Sequence, residues 1–190
     1  ADYVACKGLY GDVALNLRGS VYTLTLEEPW TSLRDAREFS VLLNATGRMD
    51  KPGLGVAICM GDRGGALEEA NTVLEEYRRT ITKYLNWLME PNTDRIEELS
   101  NIYVVRGEGV ISDRIIGTVS SILSTNLAKP EKPIIAYSVV PEENLAKISA
   151  RAIDPVVSKG LNLAEILRVA AEKYSGKGGG HNIAAGAQVP

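Results

Sequence analysis

One histidine, two cysteines and a single phenylalanine stand among the 190 residues of this chain, and each scarcity excludes a class of chemistry. One imidazole and two thiols far apart in sequence, Cys6 and Cys59, cannot assemble the four-ligand set of a structural zinc site. The cysteines read as reduced thiols of a reducing compartment. A two-metal phosphoesterase centre needs several His and Asp ligands, so no metal ligand is expected in these residues. Gly-Lys-Ser/Thr at phosphate-loop spacing is absent, and GEGVIS lacks the third glycine of a dinucleotide fingerprint. No G-x-S-x-G elbow accompanies His181 as it would in an α/β-hydrolase triad. Apolar runs stay well short of the about 18 to 20 residues that cross a bilayer, and no membrane is expected as partner. The opening ADYVACKGLYGD has neither the basic nor the apolar stretch of a secretion signal, so a cytoplasmic location is expected.

The net charge of −3 speaks against a grip along duplex DNA, whose footprints are basic, though it leaves room for a local basic pocket. Apolar content of 45% with 24% charged residues is that of a globular domain, and the length admits one large domain or two small ones. The chain starts at Ala1 without methionine and stops shortly after Ala-Ala-Gly, which reads as a piece excised from something longer.

The hydrophobic pattern divides the chain into three parts. Residues 1–62 read as a segment of hairpin, helix and loop. In VALNLRGSVYTLTLEE (13–28) the alternation of Leu15, Leu17, Tyr22, Leu24 and Leu26 about Arg18-Gly19 predicts a hairpin with one buried face. Ser32 with Asp35 predicts a capped helix with Leu33, Ala36, Phe39 and Leu43 on one side, and GRMDKPGLG (47–55) reads as loop. Residues 63–93 hold a long connecting helix, Ala66 to Met89. Its stripe is Ala70, Val73, Leu74, Tyr77, Ile81, Leu85 and Leu88, with a Glu75–Arg79 pair on its surface and Pro91-Asn92 ending it. Residues 94–190 alternate strands (IYVV, IIAYSVV, KISARA) with helices (DRIIGTVSSILSTN, and one opened by Asn162 and Glu165). The fold class expected is therefore α/β, with a C-terminal mixed-sheet domain flanked by helices behind a hairpin/helical segment and the connecting helix.

Three polar groups set among small residues carry the chemistry. Asn44 and Arg48 lie in LLNATGRMD. Ser149 and Arg151 lie two apart in KISARA, on one face of their strand. Gly178, Gly179 and Gly180 precede His181. A glycine triplet raises the entropic cost of folding, so it marks a place where a ligand or another strand must approach the main chain. Arginine clamps phosphate oxygens with a two-pronged donor, and serine, histidine and bare backbone N–H groups add single donors. Together they describe a phosphate pocket, although Arg48 and Arg151 could equally be surface ion pairs and His181 a structural hydrogen bonder.

In this order, LLNATGR, a long helix, IIGTVSSIL, KISARA and GGGHNIAAG resemble RecJ-like proteins of the DHH phosphoesterase superfamily. The last three resemble the DHH-associated C-terminal domain, and TSLRDAREFSVLLNATGR with the GGGHNIAAG ending resembles the archaeal members. The resemblance implies a 5′→3′ exonuclease acting on single-stranded DNA or RNA, in replication and repair. Manganese or magnesium would be held by an Asp-His-His lobe that these residues do not contain. It further implies that Ser149 and Arg151 contact the terminal phosphate. Gly179, Gly180 and His181 would meet the phosphate near the scissile bond, with Gly178 beside them. Asn44 and Arg48 would line the cleft. His181 would serve catalysis as a phosphate donor only together with the missing lobe, so this chain alone is expected to bind without cutting. The alternative the resemblance offers is a non-catalytic replication scaffold that binds GINS or the replicative helicase. A small-substrate phosphoesterase is less compatible with LLNATGR and the long helix. The glycine-rich domain appended to alanyl-tRNA synthetases is less compatible with Ser149-Ala150-Arg151.

Overall fold

A computed structural model describes residues 19–127 and 131–190, and the chain divides into two compact units, Ala1–Leu74 and Glu75–Pro190. In the first unit, helix α1 (Ala36–Arg48) starts at Asp35, whose carboxylate accepts from the N–H groups of Arg37 and Glu38 at 2.8 and 3.1 Å. Asp35 is thus the cap, where the sequence pointed to Ser32; the Ser32 hydroxyl donates instead to Asn71 Oδ1. The expected loop over 47–55 is mostly helix: α2 (Pro52–Cys59) begins on a proline, which suits a first helical turn. Its glycines read as breakers but serve packing. A Cβ at Gly55 would lie 2.8 Å from Thr46 Oγ1, so α2 meets α1 at backbone distance. Leu33, Leu42, Ala45, Ile58, Ala70 and Val73 fill the core of this unit.

The first strand of the hairpin expected over 13–28 lies outside the described residues. The described part, 19–28, forms turns and one isolated bridge, Thr23↔Asp35. Its backbone pairs with the start of α1, Leu24 N–H to Arg34 carbonyl and Ala36 N–H to the Tyr22 carbonyl, while Tyr22 and Leu26 point into solvent.

Helix α3 (Gly65–Leu88) runs across the division between the units. Its apolar stripe is buried at Ala70, Val73, Leu74, Tyr77 and Leu88, and Glu75 pairs with Arg78 rather than Arg79. Asn92 at φ +61° turns the chain, and Arg95 stacks on the Trp87 ring at 4.1 Å while donating to the Trp87 carbonyl.

In the second unit, β1 (Ile96–Glu98), β2 (Tyr103–Arg106), β3 (Ile134–Val140), β4 (Leu145–Arg151), β5 (Lys177–Gly180) and β6 (Ala184–Val189) form one mixed sheet. Its order is β1-β2-β3-β4-β6-β5, with β2 and β3 parallel and every other pair antiparallel. Parallel neighbours need a crossover, and α4 (Ile116–Asn126) supplies it, packing on β3 and β4. The opposite face is closed by α5 (Asp154–Val157) and by α6 (Leu163–Glu172), which is capped by Asn162 as the sequence predicts. Ala150, Ala185 and Ala187 sit beneath Leu163, Leu167 and Ala171; small sheet residues let the helix come close. The mixed sheet with flanking helices is the α/β architecture read from the sequence.

Candidate functional site

The site is written in the register of three neighbouring strands. Arg151 pairs with Ala184; Ser149 pairs with Gly186, which pairs with Gly179; Lys147 pairs with Gln188, which pairs with Lys177. Directly paired residues share a face, and alternation along each strand puts all of these on the side away from α6. At the centre lie two glycines on adjacent strands. A Cβ on Gly179 would meet nothing within 4 Å, and one on Gly186 would meet only the Ile148 carbonyl at 3.5 Å. The result is a patch of bare backbone.

One wall of the patch is the first turn of α4. A Cβ at Gly117 would stand 3.4 Å from Arg151 Nη2 and 3.6 Å from Ser149 Oγ, so both side chains reach the helix through the space that Gly117 leaves. The Ser120 hydroxyl donates to the Gly117 carbonyl and lies 3.0 Å from Ser149 Oγ. A hydroxyl has one proton, so with Ser120's on that carbonyl Ser149 is the donor between the two serines. As the donor, Ser149 keeps both oxygen lone pairs for incoming donors. Arg151 is half-buried and donates to the Ala150 carbonyl at 2.8 Å. Further along the same face Lys147 forms an ion pair with Asp113. Burial pushes the Asp113 carboxyl up, but the Lys147 ammonium, together with the Arg114 N–H and its charge, holds the group below its ordinary value.

The three consecutive glycines do different work. Gly178 faces α6: a Cβ there would be 2.4 Å from the Leu167 carbonyl oxygen, so this glycine is required by packing. Gly180 has φ +139° and lies against Ala184 and Ala185 at the hairpin end, a conformation that glycine supplies. Gly179 alone opens onto the bare patch. The question of ligand or strand is answered in part, since the glycines are themselves a strand. His181 follows at the turn, its N–H bonded to the Ala184 carbonyl at 2.8 Å and its side chain exposed.

Asn44 and Arg48 belong to the first unit, exposed and one turn apart on α1, Arg48 in the last turn where a cation suits the helix dipole. Sequence reasoning did not single out Gly117, Ser120 or Gly186. The signal was available for Gly186, a glycine inside an alternating strand, which marks close backbone approach.

The DHHA1 domain model matches residues 101–190. Those residues are a DHHA1 domain. An uncharacterised protein of the archaeon Methanocaldococcus jannaschii is 36% identical over 157 residues, covering 83% of this chain and 32% of that protein. The fold is similar to RecJ of Thermus thermophilus in complex with Mn2+, at TM-score 0.61 and 16% identity, over 82% of this chain and 22% of that one. The Mg2+ complex of the same protein gives TM-score 0.59 and 18% identity over 82% of this chain and 23% of that one. The chain carries this DHHA1 domain and is similar in fold to RecJ, and it spans about a third of the archaeal relative's length. Among the described residues no three His, Cys, Asp or Glu side chains come together, so this donor set does not fit a two-cation centre. No described helix is long and apolar enough to cross a membrane.

Proposed function

We propose that this chain is the substrate-holding portion of a RecJ-like phosphoesterase and grips single-stranded DNA or RNA by its phosphates. The observation that carries the reading is the bare Gly179–Gly186 patch beside Arg151 and the first turn of α4. A phosphate is large and doubly forked in its acceptors; it needs an approach free of side chains and a two-pronged cation at the rim. Arg151 is that cation. Ser149 adds its hydroxyl once a phosphate oxygen competes with Ser120 for the proton, and His181 offers a further donor at the hairpin end. Asn44 and Arg48, exposed on α1 of the first unit, are polar groups of the kind that contact a nucleic-acid strand. Cleavage in the 5′→3′ direction, with Mn2+ or Mg2+, belongs to a metal-bearing lobe of the intact protein.

The test is Arg151→Ala. It should lower affinity for a 5′-phosphorylated single strand about tenfold more than for the 5′-hydroxyl form, the worth of one charge-assisted contact. Equal losses on the two ligands would count against a terminal-phosphate pocket. A second reading, a scaffold that binds replication proteins such as GINS, draws on the exposed apolar residues Tyr22, Leu26 and Trp30 of the first unit. Association with purified GINS that Trp30→Ser abolishes would favour it.

A further inference from the structure

We infer that the sheet carries a second anion subsite, built by Lys147, Gln188 and Lys177, which takes the next phosphate of the bound strand. The inference rests on the proposed phosphate-binding function and extends its site along the sheet. The three residues are direct cross-strand neighbours, Lys147 with Gln188 and Gln188 with Lys177, and lie on the same face as Ser149, Gly186 and Gly179. They form the row two residues along the strands from the glycine row. Two residues of antiparallel strand span about 6.8 Å, close to one sugar–phosphate repeat of an extended single strand. Between the rows no side chain intervenes, since Gly179 and Gly186 are the floor.

Across the row, three strands span about 9.6 Å between the outer Cα atoms. A phosphate that draws the Lys147 ammonium away from Asp113 would be flanked by the two lysines across that width, with the Gln188 amide as the central donor. Lys147 is held in place by Asp113, which also offsets part of its charge. Lys177 is exposed and makes no ion pair among the described residues, so it is the cation whose loss a ligand would feel most. A lysine on an edge strand also discourages pairing with other chains, and that role alone would leave ligand affinity untouched.

The experiment compares the full chain with its Lys177→Gln, Lys177→Arg and Arg151→Ala variants, using 5′-phosphorylated octathymidylate and thymidine 5′-monophosphate across a salt series. Lys177→Gln should cost about fivefold more affinity for the octanucleotide than for the monophosphate and reduce the slope of log K against log salt by about 0.7, one phosphate's share on a single strand. Lys177→Arg should restore both. An octanucleotide affinity indifferent to Lys177→Gln, or losses equal on the two ligands, would overturn the subsite. If Arg151→Ala still weakens binding in that case, the proposed function survives it. A wild-type chain that binds no octanucleotide overturns both.

Discussion

Within one glycine triplet the structure separates a packing residue from one open on the bare patch, and alanine at each position distinguishes them. At Gly178 the new methyl carbon would start 2.4 Å from the Leu167 carbonyl oxygen and 2.7 Å from its carbon. Both are backbone atoms of α6, so relief requires moving the helix off the sheet. Overpacking of this kind costs about 1–3 kcal/mol, and for a chain of this size each kcal/mol lowers Tm by roughly 2–4 °C. Gly178→Ala should therefore melt about 2–12 °C below wild type. At Gly179 the same methyl meets nothing within 4 Å and its φ needs no glycine. Gly179→Ala should hold or gain about 0.4–1 kcal/mol through the stiffer unfolded chain. Yet it places a side chain on the bare patch, so it should weaken binding of a phosphorylated single strand. Thermal melts by circular dichroism, with binding measured on the same samples, read both effects. A Gly179→Ala protein that melts as low as Gly178→Ala, or that binds like wild type, would refute this division of labour.

Two further outcomes follow from local chemistry. Burial raises the Asp113 carboxyl, but Lys147 and Arg114 together hold it below its ordinary value, so its carboxylate stabilises the fold above the unfolded pKa. That contribution should disappear as pH falls through the folded pKa, and Asp113→Asn should flatten the acid limb of stability against pH; an unchanged limb contradicts the pair. Asn162→Ala removes the side-chain oxygen that accepts the Glu165 N–H at the start of α6 and should cost about 1 kcal/mol in urea unfolding. A loss near zero would mean that the α6 cap is replaceable by water.

Much of the second unit was legible because its signals are local. IIAYSVV is an apolar run of strand length and became β3 over the same residues, and Asn162 three residues before Glu165 is a cap in sequence and in structure. β5 was not legible as a strand. Lys-Gly-Gly-Gly has no β propensity, and it is held extended by β6 and α6, which are tertiary neighbours. The same holds for α2, where Pro52, Gly53 and Gly55 read as loop and packing against Thr46 decides for helix. At the site, Arg151 and Ser149 could be named from their spacing in one strand. The Gly117 notch and the Lys147–Gln188–Lys177 row could not, because each joins segments that only the sheet order brings together.

The most direct measurement is equilibrium binding of the full chain to a labelled single-stranded oligonucleotide, with and without a 5′-phosphate, across a salt series. A phosphate pocket requires tighter binding of the phosphorylated form and an affinity that falls steadily with salt. No binding, or equal and salt-independent binding of the two forms, would contradict it.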